Sequence, residues 1–335
     1  MRKNGWIIGL VASMLVLVVI LGGTAYAGSL DKPVHLRFAS HVIGGTGYTQ
    51  VALIAKQLRP HLPEGSTIDV LPYSGGIGNI KLMEAGKAEA GICLTASDRW
   101  AVDGTVVFKE KYKKLRHIAT TGIFYICVYA TEKSGITSLD EIFGEKKRVR
   151  WFALNIGSTG EVATRLLMEG YGGSYDKIKA QGGSVTNTGW VNIGPALRDG
   201  RGDIVSHGVG AGHPSMTEIA VTVPGRFLDI KDAVRDTFVK EYGFDKVDMP
   251  ANTFKHQPKP LKTIAYYLTF DASIDMPEEI AYLLAKVIAE ERDALIKGHK
   301  SFKGTPPEAS CQPGKYGAPI HPGAERYYRE RGWLK

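Results

Sequence analysis

The chain has 335 residues, 44 % hydrophobic and 23 % charged. This is ordinary globular composition at a length that suits two domains, so disordered and fibrous classes are excluded. The net charge of +8 comes without a basic stripe interleaved with aromatics, so no nucleic-acid partner is expected, and the mildly positive field favours small anions.

Residues 1–27 read as a targeting segment. Arg2 and Lys3 open it, an apolar run extends from Trp6 to about Gly22, and Ala25-Tyr26-Ala27 has the small-x-small form of a cleavage site. The pattern predicts a secretory signal peptide, an exported soluble chain starting at Gly28, and a periplasmic location. Losing Arg2 and Lys3 lowers the net charge from +8 to +6. Three cysteines make no disulfide framework, and Cys93 and Cys127 sit in apolar strand-like runs as expected free thiols.

Val34–Ala39 is a β-rich run. Tyr48, Val51, Ala52, Ala55 and Leu58 then recur at helical spacing. Thr67–Leu71 predicts a strand, and Ile77, Ile80 and Met83 a short helix stopped at Gly86. Ala90–Thr95 is a third strand, with a helix expected to begin at Ser97. Ile123–Ala130 is a long aromatic, β-branched run, matched much later by Thr263–Phe270. Between those two runs the first plan returns: strand Val149–Ala153, a helix marked by Val162, Leu166 and Leu167, a helix over Asn192–Asp199, and strand Ile204–His207. A single helix is predicted from Pro277 to about Lys297, then exposed Pro/Gly turns over Gly304–Pro322 and a polar C-terminal helix.

The chain repeats itself. Arg37–Gly47, RFASHVIGGTG, and Arg150–Gly160, RWFALNIGSTG, stand 113 residues apart. MEAGKAE (Met83–Glu89) and LRDGRGD (Leu197–Asp203) stand 114 apart and share an apolar-x-x-Gly-basic-small-acidic pattern. Strands alternating with helices imply parallel sheets in two α/β lobes. The two long runs would carry the chain out of the first lobe and back as a two-strand hinge, giving lobe I as 28–124 plus 268–335 and lobe II as 125–267.

Each Ile-Gly-x-Thr-Gly loop follows a strand and opens a helix. Free N–H groups and the helix dipole make such a place attractive to a carboxylate or phosphate. Either loop alone is explained by capping. Two loops facing across one cleft point to an anion site built from Gly45, Thr46, Gly47 and Tyr48 on one wall and Asn155, Gly157, Ser158, Thr159 and Gly160 on the other. Gly76, Thr95, Ser97, Asp98, Gly210 and Ala211, in the further loops of the plan, border the same cleft. Asp98 has two open readings, a contact to a ligand ammonium or a helix cap, and Arg99 and Trp100 also have two, anion and stacking groups or, the reading preferred, surface or core groups. Catalytic motifs are absent: Gln50 stands where a dinucleotide fingerprint needs its third glycine, and there is no P-loop, zincin helix or nucleophile elbow. His207 and His213 straddle a glycine loop and read as structural rather than metal-binding. No cofactor, metal or catalytic residue is expected.

Taken together, the signal peptide, the Gly44–Tyr48 loop, the Gly75–Asn79 turn, MEAGKAEAGICLTASD, EKSGITSLDEIFGEKKRV and the stretch Pro319–Tyr328 resemble the TAXI-type solute receptors of TRAP transporters, over nearly the whole mature chain. The resemblance implies a type II periplasmic binding-protein fold, two Rossmann-like lobes joined by a two-strand hinge with the ligand cleft between them. It also implies a monomeric receptor for a small organic anion, such as glutamate or a dicarboxylate, delivered to an integral-membrane TRAP permease driven by an ion gradient. Two alternatives remain: a receptor for an ATP-driven importer, and an exported two-lobed enzyme.

Overall fold

The computed structural model describes residues 30–43 and 45–335. The predicted signal peptide, and Gly44 of the first loop, lie outside the described residues. The first half contributes β1 (His35–Ala39), α1 (Thr46–Leu58), β2 (Thr67–Leu71), α2 (Gly76–Glu84), β3 (Ala90–Leu94) and α3 (Thr95–Asp103). Strand β4 (Leu115–Thr131) leads through α4 (Leu139–Phe143) to the second half. This comprises β5 (Arg150–Ala153), α5 (Thr159–Gly170), α6 (Tyr175–Ala180), β6 (Ser184–Asn187), α7 (Trp190–Arg198), β7 (Ile204–Val209) and α8 (Pro214–Thr222). The chain continues through β8 (Gly225–Phe227), α9 (Asp232–Tyr242) and β9 (Asp245–Met249). It returns along β10 (Leu261–Ser273) to α10 (Glu278–Glu290), α11 (Arg292–Gly298) and α12 (Pro322–Glu330).

All ten strands of the described residues form one sheet in the order β2-β1-β3-β10-β4-β7-β5-β6, with β8 beside β4 and β9 beside β10. β1 runs parallel to β2 and β3, and β5 parallel to β6 and β7. Between these two parallel sets lies the antiparallel pair β4 and β10. In β10 every residue except Lys262 is buried, which is the pattern of a central strand covered on both faces.

The repeat is visible in the packing. Arg37 donates from its backbone to Glu89 Oε2 (2.6 Å) and from its guanidinium to Glu89 Oε1 (2.5 Å) and Gly86 O (2.9 Å). Arg150 does the same to Asp203 Oδ2 (2.7 Å), Asp203 Oδ1 (2.6 Å) and Gly200 O (2.7 Å). The shared Arg and the Gly-basic-small-acidic turn thus tie the first strand of each half to the entrance of its third. α1 buries Val51, Ile54, Ala55 and Leu58, one stripe at helical spacing, and α5 buries Val162, Ala163, Leu166 and Leu167. Each large aliphatic side chain so buried is worth about 1.5–3 kcal/mol.

Three expectations need correction. The helix read from Pro277 to Lys297 is two helices, broken at Glu291, and the first packs on α1 and α12. The segment read as exposed turns before α12 is a strap laid on β4. There Ser310 Oγ accepts from the Thr120 N–H (3.0 Å), the Thr120 hydroxyl donates to Lys315 O (2.7 Å), and His117 bridges to Ile320. Its polar sequence hid this role because the anchoring bonds go to backbone. Helix α12 is not polar throughout, since Ala324, Tyr327 and Tyr328 are buried.

Candidate functional site

A cleft opens where the carboxyl ends of the two parallel strand sets face each other, the usual ligand position in open α/β sheets. Six helix starts border it, those of α3 (N-cap Leu94) and α7 (Trp190) and four more. α1 begins there with Gly45 and Thr46, α2 with Gly76, α5 with Ser158, Thr159 and Gly160, and α8 with its N-cap His213. The N-cap residues of α1 and α2 are glycines, so neither helix is capped by its own N-cap side chain; of these first N–H groups, that of Ile77 in α2 meets a side chain from across the cleft, Thr159 Oγ1. In α5 the Ser158 hydroxyl caps Glu161 N (3.2 Å), and in α8 His213 Nδ1 accepts from Met216 N (3.3 Å). Two polar atoms at the cleft residues are buried with no hydrogen-bond partner: Thr46 Oγ1 and His207 Nδ1. A buried polar atom without a partner is costly, and a ligand is one way to supply the partner.

The halves touch across the cleft. The Ile77 N–H at the start of α2 points to Thr159 Oγ1 of α5 at 3.4 Å. Gly76 makes the approach possible: its φ is +27°, and a Cβ there would stand 2.1 Å from Thr159 Oγ1. Gly160 is equally constrained, since a Cβ would stand 2.0 Å from His207 Nδ1.

Of the predicted residues, Gly45, Thr46, Gly76, Asn155, Ser158, Thr159 and Gly160 line the cleft. The remainder sit elsewhere. Tyr48 is half-buried along α1 and Gly47 is buried in its first turn. Gly157 faces solvent, and Gly210 packs on Phe124, with exposed Ala211 beyond it. Thr95 Oγ1 accepts from Tyr267 N (3.1 Å), and the Ser97 hydroxyl returns to Leu94 O (3.0 Å).

Asp98 neither caps a helix nor faces the cleft, because α3 already begins at Thr95. Its carboxyl is fully buried, 2.8 Å from Thr269 Oγ1, which is 2.8 Å from Asp271; His117 Nδ1 lies 3.0 Å from the same Asp271. Burial, reinforced by the Asp271 charge, pushes Asp98 well above the ordinary carboxylate range. A protonated Asp98 donating to Thr269, which donates to Asp271, accounts for the chain of contacts. Cys93 Sγ and one oxygen of each aspartate lie within 4.8 Å of one another, and that shared proton explains the group without an ion. All three cysteines are free and buried.

The sequence reading missed His41, Ser74, Trp190 and the cleft role of His207 and His213. Trp190 is the informative miss. It stands 114 residues after Gly76, the offset of the repeat, and like Gly76 it is the first residue of its helix. One half thus leaves that helix start bare, and the other covers it with an indole that packs on His213 (4.9 Å between ring centroids) and His207 (5.5 Å). Burial lowers His41 and His213 to about 4. His207 falls to about 3, first by burial and then by the fields of His213 and His41. All three imidazoles are neutral at pH 7.

Residues 38–332 match the model of the NMT1-like family. The chain belongs to the NMT1-like family. Solved structures similar to this NMT1-like chain share its fold. They include MatC (Rpa3494) from Rhodopseudomonas palustris with bound malate, at TM-score 0.54 and 14 % identity over 90 % of this chain and 98 % of that one. Rpa4515 of R. palustris with adipate and the periplasmic binding protein BugD each match at TM-score 0.53, 14 % identity and the same coverage. The fold is therefore the two-lobed α/β fold of periplasmic binding proteins. No described helix of the NMT1-like chain is long and apolar enough to cross a membrane.

Proposed function

We propose that the protein is a periplasmic solute receptor. It holds a small organic carboxylate between its lobes and delivers it to a TRAP-type permease driven by an ion gradient, as its resemblance to TAXI-type receptors implies. The observation that carries the binding step is the meeting of several helix starts at a cleft where Thr46 Oγ1 is buried and unpartnered. The lobes are 28–124 with 268–335, and 125–267. The ligand docks first on the Thr46 wall, and the Thr159 wall closes over it by bending of β4 and β10.

A thermal-shift screen over amino acids and carboxylates, followed by calorimetry on Thr46→Ala and Thr159→Ala, tests the site. Wild-type affinity in both variants would sink it. Uptake by cells carrying or lacking the partner permease tests delivery, and uptake that depends on an ATPase instead would favour an ATP-driven importer.

A further inference from the structure

We infer that the cleft is built for a monocarboxylate with a neutral, largely apolar body, and that it rejects dicarboxylates. This inference rests on the reading of the cleft as the binding site. Among the seventeen described residues that line it there is no Arg, Lys, Asp or Glu. The titratable groups facing it are His41, His207, His213 and Tyr266, and burial holds the three imidazoles neutral. What positive potential the cleft has comes from helix starts, roughly half a charge each. The starts of α1 and α2 and the α5 start across from them border the same cleft, where Thr46 Oγ1 stands without a partner.

The rest of the wall differs in kind. Phe124, Leu154, Tyr266 and Trp190 supply apolar and aromatic surface. The repeat sharpens the contrast, because Trp190 fills in one half the position that Gly76 leaves open in the other. A second carboxylate reaching that wall would meet no charged side chain, only the α7 start, which carries the Trp190 indole, and the α8 start, which His213 already caps, and this disfavours binding. A ligand ammonium would find no carboxylate either.

Size adds a bound. The space open to the centre of a water-sized sphere is about 70 Å³. At about 10–15 Å³ per water this holds roughly five to seven waters, so the body is small.

The test uses the full mature protein and matched pairs: butyrate against succinate, valerate against glutarate, and benzoate against terephthalate, by calorimetry at pH 7.5. At least one monocarboxylate is expected to bind at least 100-fold more tightly than its dicarboxylate partner. Thr46→Ala is expected to weaken that binding tenfold or more. Trp190→Ala should weaken the longer or ring-bearing member of the series more than butyrate. Dicarboxylates that bind as well as their partners, with Thr46→Ala still harmful, would overturn the selectivity and leave the site standing. Binding untouched by both substitutions would overturn the site itself. No heat with any of the six at 10 mM, with folding confirmed by circular dichroism, would overturn both.

Discussion

Replacing Gly76 with alanine should weaken ligand binding by obstructing closure rather than by removing a contact. The added Cβ would stand 2.1 Å from Thr159 Oγ1, whereas ordinary contact begins near 3.4 Å, so the hydroxyl has to retreat by about 1.3 Å. Rotating Thr159 away abandons the Ile77 N–H. Leu94 Cδ1 at 3.1 Å and Ser97 Oγ at 3.2 Å close the other directions. Overpacking of this kind costs about 1–3 kcal/mol. Thr159 belongs to the opposite half, so that cost falls on the closed arrangement alone and reads out as a loss of affinity of about 5- to 150-fold. The positive φ adds a strain of roughly 1 kcal/mol that open and closed forms share, which lowers the melting temperature but not the affinity. Calorimetry gives the affinity, and small-angle scattering at saturating ligand gives the radius of gyration. The double variant Gly76→Ala/Thr159→Ala should lose less than the sum of the two single losses. Unchanged affinity and radius in Gly76→Ala, or strict additivity in the double variant, would refute the closure argument.

Thr46→Ala should cost almost no stability, because the hydroxyl bonds nothing and Gly45 is the N-cap; a urea midpoint well below wild type would contradict that. Ser158→Ala, by contrast, removes a true cap and should cost about 1 kcal/mol in the same measurement. Asp98→Asn should be tolerated within about 1 kcal/mol, since a neutral donor replaces a protonated acid, whereas Asp271→Asn, which faces both Thr269 and His117, should cost about 1–3 kcal/mol. If the order of these two is reversed, the shared proton is misplaced. Finally, His41, His207 and His213 titrate at about 4, 3 and 4 when folded against an ordinary 6.5, so the unfolded chain binds more protons between those values. Their contribution to stability is complete above about pH 6.5 and declines as pH falls toward 4. Denaturant midpoints of the Asp98→Asn variant, which removes the opposing titration of that acid, should fall steadily from pH 7.5 to 5, and a rise would reject the neutral-histidine assignment.

Much of this fold is legible because it is written twice. The strand at Arg37 and the strand at Arg150 announce themselves through the same residues that later make the same ion pairs with Glu89 and Asp203. Thr67–Leu71 and Ala90–Leu94 emerge from β-rich runs at their observed bounds to within a residue. The site is only half legible by the same route. Thr46 and Thr159 follow from repetition, but Trp190 and His207 follow from its breakdown, where one copy holds an aromatic or a histidine and the other holds Gly76 or Cys93. Looking for agreement between copies overlooks the positions at which they have diverged. Asp98 misleads for another reason: an acid near a helix start suggests a cap, and only three-dimensional packing brings it against Asp271, far along the chain.

The order of strands has a consequence for how the chain comes into being. β3 and β4 are neighbours of β10 and not of each other, and Tyr125 pairs with Ala265, 140 residues later. Closing a loop of that length costs roughly 4 kcal/mol of chain entropy before any pairing offsets it. A nascent chain that has not reached Leu261 therefore carries an empty slot through the middle of its sheet, with two unpaired edges facing it. The first half is unable to mature early and wait for the second; both are completed by one late strand. Chains cut off before Leu261 should remain open to protease along their whole length, and those extending past Ser273 should become resistant in a single step.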